Sequence, residues 1–256
     1  MCHGNFQSSG PLFSAEEEQF VHLAEGSSKL YASLFPARIA QRGTVLLVSD
    51  VFGRTPFYRM LGHRLAGAGY RTLVPELFSA SFPVANGDME ATFERLAELN
   101  QRRSLDHLDA CMALLRSQDS FGHVAVMGFC LGGTLAMMLT ARQSFAAAVI
   151  YYGFPDRKPA TDNAPYIVLE HLDDIGRLRV PVLGFWGKEE ERVPLRSVEA
   201  YREGLIERGV PAEINLCPGV GHSFLTFDEE APHFEVARRA WTQTLTFLSR
   251  SAAPSG

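Results

Sequence analysis

Sequence features that would mark several large protein classes are scarce or missing in this chain. The 256 residues include only four cysteines, and none of them forms the CxxC pair typical of a zinc site or a redox dithiol. We therefore expect free thiols and no metal. No apolar stretch is long enough to span a bilayer, and residues 1–7 contain neither the basic nor the apolar part of a secretion signal. These absences predict a cytoplasmic protein that does not bind membranes.

A long run of one charge is also missing. The 24 Lys and Arg residues are interspersed with 29 Asp and Glu residues, and the formal net charge is −5. Binding to nucleic acid usually needs basic residues clustered in a stripe or patch. The charge pattern therefore argues against nucleic acid as a partner.

What remains is an ordinary globular composition, with 46% hydrophobic and 21% charged residues. No Gly/Ser/Pro-rich linker divides the chain, and α/β folds of this length commonly form one domain. We expect a single domain over residues 1–256, in which residues 1–18 and 251–256 are flexible or peripheral ends.

Apolar runs and helical periodicities alternate along the chain. Two short strands at 19–23 and 30–35 flank a turn-rich segment and predict an antiparallel hairpin. The later predicted strands, most of them followed by helical spacing, are 45–49, 72–74, 124–127, 147–151, 182–186 and 213–216. The last predicted helix would bury one stripe made of Phe234, Ala237, Trp241, Leu245 and Leu248. This alternation predicts an α/β fold with a mostly parallel central sheet and helices on both faces.

One glycine-rich segment follows a buried strand and opens a helix. It reads Gly128-Phe129-Cys130-Leu131-Gly132, which is G-x-C-x-G in the strand, turn and helix setting of a nucleophile elbow. The glycines are needed because the residues two before and two after the nucleophile approach neighbouring backbone too closely for a Cβ. A cysteine at a helix N-terminus is also favoured as thiolate. The alternative is that Cys130 is a small apolar residue buried in a tight turn.

Two further segments supply the partners of such a nucleophile, in the order nucleophile, acid, base. His222 lies in the glycine-rich loop after the last predicted strand, at the edge of the sheet where open α/β folds hold catalytic groups. Glu189, Glu190 and Glu191 follow the strand at 182–186, and one of them could orient the imidazole. The alternative interpretations are a structural histidine and a solvated charge cluster.

These segments resemble the dienelactone hydrolase family, a cysteine-dependent branch of the α/β-hydrolase fold, and the resemblance covers about residues 19–250. Its elbow matches 128–133, and its acid motif G-x-x-D-x-x-V-P, counted back from Val193-Pro194, places Glu190 at the acid position. The other matches are Asp50-Val51-Phe52-Gly53 to E-x-F-G, Gly221-His222-Ser223-Phe224 to G-H-x-F, and Tyr151-Tyr152-Gly153 to Y-Y-G.

The resemblance implies a hydrolase of a small ester, lactone or enol-lactone that needs no cofactor. Cys130 would attack the carbonyl, His222 would transfer the proton, and Glu190 would orient and stabilise the imidazolium. The backbone N–H groups of Leu131 and of Phe52, or the neighbour of Phe52 in its loop, would form the oxyanion hole.

The resemblance also implies residues that activate the nucleophile or line the pocket: Asp50, Tyr151, Tyr152 and Thr226. Asp50 is one methylene shorter than the family's glutamate, which interacts with the resting cysteine, and it could instead cap its own loop. Thr226 stands where dienelactone-cleaving members have an arginine that holds the substrate carboxylate. A second family arginine comes from the region that here contains Arg95, Arg102 and Arg103. We therefore expect a substrate that is larger or less acidic than the carboxylated dienelactone.

Two other functions stay open, and the sequence indicates neither the oligomeric state nor the pathway. The same cysteine scaffold could perform acyl transfer, cyclisation or isomerisation in a biosynthetic pathway, which product analysis would separate from hydrolysis. The chain could also be a catalytically silent binding protein. A complete triad argues against the binding protein, because such a protein would tolerate loss of the triad.

Overall fold

The computed structural model describes residues 18–25, 28–78, 90–91, 94, 99, 101–118, 123–155 and 180–251, with only the backbone described at 22–25 and 28–30. The two ends expected to be peripheral lie outside these ranges, except for Glu18 and Ser251. Ser251 is the last residue of a helix and Glu18 is buried. Both residues therefore belong to the folded structure.

The N-terminal hairpin forms one edge of the sheet. Strands β1 (Gln19–Glu25) and β2 (Ser28–Phe35) pair antiparallel, as predicted, and each extends further towards the turn than expected. β2 then pairs antiparallel with β4 (Tyr70–Pro75) rather than with β3 (Gly43–Val48), the next strand along the chain. The chain therefore passes the position of β4 before it enters the centre of the sheet.

The rest of the sheet is parallel. From β4 the strand order continues as β3, β5 (Val124–Phe129), β6 (Ala147–Tyr151), β7 (Val182–Gly187) and β8 (Ala212–Cys217), which completes eight strands within the described residues. Every residue of β3, β5, β6 and β7 is buried. This burial explains their continuous apolar runs, because a parallel strand covered on both faces needs apolar side chains on both.

Helices pack against this sheet and confirm the predicted fold class. Those in the described part of the chain are α1 (Pro56–Gly67), α2 (Gln101–Gln118), α3 (Leu131–Arg142), α4 (Leu195–Glu207) and α5 (Phe234–Ser251). α1 contacts β2, β3 and β4, whereas α3 contacts β3, β5 and β6, and α5 contacts β6 and β7. None of these described helices is long and apolar enough to cross a membrane.

The buried face of α5 differs from the predicted stripe. Ala237 and Leu248 are buried as predicted, but the other three members of that stripe are only half-buried. The helix instead buries Ala240, Thr244 and Phe247. A threonine is tolerated there because its hydroxyl shares a 2.8 Å hydrogen bond with the hydroxyl of Tyr151.

An ion cluster around the buried carboxylate of Glu18 joins the residue before β1 to α1. The Glu18 carboxylate accepts hydrogen bonds from Arg54 Nη1 at 3.0 Å, from Arg59 Nε at 2.8 Å and from the Ser33 hydroxyl. Burial alone would raise the pKa of Glu18, but the hydrogen bonds from Arg59 and Ser33 and the charges of Arg59 and Arg54 hold it below its ordinary value. Because Arg54 directly follows the loop at 50–53, the cluster also fastens that loop to the hairpin.

Candidate active site

The carboxyl ends of the parallel strands bring several loops to one edge of the sheet. Cys130 follows β5, Glu190 follows β7 and His222 follows β8. The loop at 49–55 follows β3 and the segment at 152–155 follows β6. Open α/β sheets place their ligand and catalytic groups at this edge.

The turn between β5 and α3 has the strained geometry of a nucleophile elbow. Cys130 has φ of 53° and ψ of −118°, a conformation that L-residues rarely adopt. A Cβ on Gly128 would lie 2.2 Å from the carbonyl oxygen of Gly132, and a Cβ on Gly132 would lie 2.2 Å from that of Ser49. Both glycines are therefore required for packing, as the G-x-C-x-G pattern predicted.

The described cysteines differ in their chemical surroundings. Cys130 is the residue before α3, where the helix dipole favours negative charge on the sulfur. Cys111 belongs to α2 and is fully buried in the apolar core. Burial raises the pKa of the Cys217 thiol to about 11, with Arg239 opposing the shift, so this thiol is protonated at neutral pH. Cys2 lies outside the described residues.

Glu190 and His222 form a buried pair. Nδ1 of His222 lies 2.8 Å from Oε2 of Glu190, and the two side chains are 4% and 0% exposed. The other oxygen, Oε1, accepts the backbone N–H groups of Arg192 at 2.8 Å and Val193 at 3.3 Å. Burial would raise the pKa of Glu190, but the hydrogen bond and charge of His222, followed by the two amides, hold it below its ordinary value. An ionised Glu190 fixes the proton of the imidazole on Nδ1.

The two neighbouring glutamates occupy different surroundings. Glu189 and Glu191 are both exposed. The backbone of Glu189 joins the two loops, because its N–H donates to the carbonyl of Val220 at 3.1 Å. Of the three candidates for the acid, Glu190 is the one that the structure brings to the imidazole.

Close backbone packing holds the loop after β7, which carries Glu190, against the loop after β8, which carries His222. The N–H of Lys188 donates to the carbonyl of Cys217 at 2.8 Å. A Cβ on Gly187 would lie 2.1 Å from the carbonyl oxygen of Val220, and one on Gly221 would lie 2.9 Å from that of Glu189. The two loops that carry Glu190 and His222 are thus held together by contacts that leave no room for a side chain.

Aromatic rings surround the imidazole. The ring centroid of Tyr152 lies 4.9 Å from that of His222, and the centroid of Phe154 lies at 5.8 Å. Tyr151 faces the core instead, since its ring stacks on Phe129 and its hydroxyl pairs with α5. Of the two predicted tyrosines, Tyr152 is therefore the one beside the histidine.

The loop after β3 is capped by Asp50. Oδ1 of this fully buried aspartate accepts the N–H of Phe52 at 2.9 Å, and its carbonyl accepts the N–H of Gly53 at 3.1 Å. The loop-capping interpretation therefore describes at least one role of Asp50. The Phe52 amide, expected in the oxyanion hole, donates to Asp50 here, whereas Leu131 begins α3, where first-turn amides have no partner within the helix.

The described residues expected to recognise the substrate are half-buried or exposed. Thr226 is half-buried, and its hydroxyl accepts the backbone N–H of Asp228 at 3.2 Å in an exposed turn. Arg102 and Arg103 are exposed at the start of α2, and Arg95 lies outside the described residues.

Features that the sequence did not predict cluster at the same edge. Among the described residues, the non-glycine residues with positive φ are Cys130 at 53°, Tyr152 at 40° and Ser223 at 62°. Only the first was expected, from its glycine-rich motif. Phe154 was also not predicted, since nothing in a single apolar residue distinguishes a neighbour of the histidine from a core residue. No group of His, Cys, Asp or Glu within the described ranges is arranged to hold a metal ion.

This chain is similar to a set of related proteins in both sequence and structure. A model of the dienelactone hydrolase family matches residues 32–252. A carboxymethylenebutenolidase of Rhodococcus opacus is 30% identical over 210 residues, which span 81% of each protein. A putative carboxymethylenebutenolidase of Salmonella typhimurium is 28% identical and aligns over 83% of this chain and 78% of its own length. A putative dienelactone hydrolase of Klebsiella pneumoniae superposes with a TM-score of 0.78 at 24% identity, over 91% of this chain and 98% of that one.

Proposed function

The chain belongs to the dienelactone hydrolase family, a family of ester and lactone hydrolases, and we propose that it works through a Cys130–Glu190–His222 triad and a thioester intermediate. The substrate class is a small ester, lactone or enol-lactone. The observation that carries the proposal is the strained elbow at Cys130 at the same sheet edge as the buried His222–Glu190 pair. Strain at a nucleophile and a perturbed acid beside a histidine are both typical of catalytic sites.

In the acylation step the sulfur of Cys130 attacks the substrate carbonyl while His222 takes the thiol proton. The negative charge that develops on the carbonyl oxygen is stabilised by the N–H of Leu131 and by an amide of the loop at 50–53. Collapse of this intermediate breaks the ester C–O bond, and His222 returns the proton to the leaving oxygen. The acyl group then remains on sulfur as a thioester. For a lactone, the leaving oxygen is part of the same molecule, so the whole opened substrate stays bound to the sulfur.

In the deacylation step water attacks the thioester while His222 accepts the water proton. The C–S bond breaks, the carboxylic acid leaves, and the proton returns to the sulfur. Glu190 stays ionised through both steps because its pKa is held low, and it stabilises the imidazolium that forms twice per cycle.

Asp50 has a proposed part in controlling the nucleophile. Asp50 is fully buried. It directly follows Ser49, and the carbonyl of Ser49 packs against Gly132 of the elbow. We propose that the Asp50 carboxylate interacts with the resting cysteine. The carbonyl oxygen of a bound substrate would then compete with this carboxylate for the Phe52 amide. Displacement of Asp50 would then free this amide for the oxyanion hole.

The proposed substrate is larger or less acidic than a compact carboxylated dienelactone. Thr226 offers one hydroxyl, which already accepts a backbone amide, where a carboxylate would need a cation with two parallel donors. The names of the two bacterial relatives refer to carboxymethylenebutenolide, but this chain departs from the family pattern at the position that holds the carboxylate.

The experiment that tests the function is a panel of aryl esters, lactones and enol-lactones, read by mass spectrometry of both product and protein. We expect free carboxylic acid as product, a transient acyl group on Cys130, and no turnover by Cys130→Ala. Products of transfer or cyclisation would indicate the non-hydrolytic alternative. Full turnover by Cys130→Ala would rule out the proposed nucleophile.

A further inference from the structure

Thr134 joins the helix that begins at the elbow to the aromatic segment beside the histidine. Its hydroxyl oxygen accepts the backbone N–H of Phe154 at 2.8 Å and lies 3.4 Å from the carbonyl oxygen of Cys130, to which it donates. Thr134 is fully buried and is the fourth residue of α3. A single hydroxyl therefore connects the nucleophile's own carbonyl to a residue whose ring lies 5.8 Å from His222.

Each residue of the segment at 151–154 forms a hydrogen bond through its backbone. The carbonyl of Tyr151 accepts the N–H of Cys130 at 3.0 Å, and the N–H of Tyr152 donates to the carbonyl of Phe185 at 2.7 Å. The carbonyl of Gly153 accepts the indole N–H of Trp186 at 2.8 Å. The bond from Phe154 to Thr134 completes this series, and it is the one in which a side chain of α3 takes part.

The segment at 151–154 already packs so closely against α3 that the helix cannot move nearer to it. A Cβ on Gly133 would lie 3.0 Å from Cα of Gly153, and a Cβ on Gly153 would lie 2.8 Å from Cε of Met137. Loss of the Thr134 hydroxyl therefore cannot be repaired by moving the helix closer. The buried N–H of Phe154 would have to turn towards another acceptor, and its ring would move with it.

We infer that Thr134 is a positioning residue for the hydrolytic reaction. It fixes Phe154, and through Phe154 and Tyr152 it sets the orientation of the His222 imidazole relative to the Cys130 sulfur. The inference rests on the proposed function, because it assigns His222 and Cys130 as proton acceptor and nucleophile. It adds a residue outside the motifs by which the triad is recognised.

Substitutions at position 134 separate this role from simple packing. Thr134→Val keeps the shape of the side chain but removes the hydroxyl, whereas Thr134→Ser keeps the hydroxyl and loses a methyl group. Thr140→Val is the matched control, because Thr140 is also buried in α3 and its hydroxyl donates to the carbonyl of Met137, within the helix. Thr134→Ala serves as a second hydroxyl-free variant if the valine variant does not fold.

The measurement is single-turnover release of p-nitrophenolate from p-nitrophenyl acetate, with kcat and KM from the steady state, beside the melting temperature. We expect Thr134→Val or Thr134→Ala to lower the acylation rate and kcat by about 10- to 100-fold with a smaller change in KM. Thr134→Ser should recover most of the rate, and Thr140→Val should lower the melting temperature without lowering kcat.

Equal kcat values for wild type and both hydroxyl-free variants would overturn the inference, as would a failure of Thr134→Ser to recover the rate. Cys130→Ala is measured in parallel. If Cys130→Ala is inactive while Thr134→Val is fully active, the role inferred for Thr134 is wrong but the proposed function stands. If Cys130→Ala retains activity, the proposed function itself is wrong.

Discussion

The carboxylate of Glu190 contacts His222 through one oxygen and the backbone through the other. Oε2 lies 2.8 Å from the imidazole Nδ1, while Oε1 accepts the amides of Arg192 and Val193 at 2.8 and 3.3 Å. The carboxylate is therefore fixed by its own loop as well as by the imidazole. This arrangement explains how a glutamate, with one more rotatable bond than aspartate, can hold an imidazole in a defined position.

Removal of the charge on Glu190 should impair catalysis strongly. We expect Glu190→Gln to lower kcat/KM by about 10²- to 10⁴-fold, because the amide neither stabilises the imidazolium nor selects the required tautomer. Glu189→Gln and Glu191→Gln are the controls and should stay within about threefold of wild type, since both side chains are exposed. A large loss in either control with an active Glu190→Gln would reassign the acid.

The cysteines other than Cys130 should be dispensable for turnover. Cys111→Ala and Cys217→Ala are expected to keep most of the activity, because one thiol is buried in the core and the other has its pKa raised to about 11. Cys2→Ala should behave in the same way. Iodoacetamide at neutral pH should modify Cys130 first, as followed by peptide mass spectrometry. Loss of activity in a folded Cys111→Ala variant would contradict the assignment of the nucleophile.

A cation at position 226 should change the substrate preference. We expect the wild type to prefer neutral aryl esters and larger lactones, since an unpaired buried carboxylate costs on the order of 2–5 kcal/mol, roughly 30-fold to several thousand-fold in specificity. Thr226→Arg should raise kcat/KM for a carboxylated dienelactone relative to the neutral esters. Asp228→Ala, which leaves the hydroxyl of Thr226 in place, is the control for disturbance of the turn. If the wild type already prefers the dienelactone strongly and the arginine adds nothing, this view of the pocket is wrong.

Acid should weaken the fold through Glu18. The folded-state pKa of this carboxyl lies below that of the unfolded chain, about 4.3, so its contribution is present above that value and is lost as the pH falls through the lower, folded-state pKa. We expect Glu18→Gln to lower the free energy of unfolding by about 1–3 kcal/mol at pH 7, with part of that loss disappearing below about pH 4. Urea unfolding between pH 3 and 7 measures both.

Glu235→Gln is the control for this pH dependence. Glu235 pairs with Arg238 on the exposed surface of α5, where water and salt screen the interaction. Its substitution should leave the pH dependence of unfolding nearly unchanged. A pH profile for Glu18→Gln that parallels the wild type from pH 3 to 7 would show that the cluster at Glu18 does not contribute to acid sensitivity.

The strands, the elbow and the loops that bear the candidate triad could be predicted because each depends on local sequence. Strands β3, β5, β6 and β7 are buried on both faces, so their apolar runs were visible without any knowledge of their partners. The elbow could be recognised from its glycines because a Cβ at Gly128 or Gly132 would lie 2.2 Å from a backbone carbonyl oxygen, which excludes every other residue. Sequence order alone then placed His222 and the three glutamates at the same edge of the sheet.

Tertiary structure decided the matters that depend on contacts between distant residues. The choice of Glu190 among three adjacent glutamates came from amides of its own loop and from a histidine 32 residues further along the chain. The buried face of α5 includes Thr244, which the predicted stripe did not, and its hydroxyl is paired with that of Tyr151, 93 residues earlier. The bond between Thr134 and Phe154 joins elements that no local pattern connects. A hydrogen bond satisfies a polar group in the core only when its partner is present, and the sequence does not show where that partner will lie.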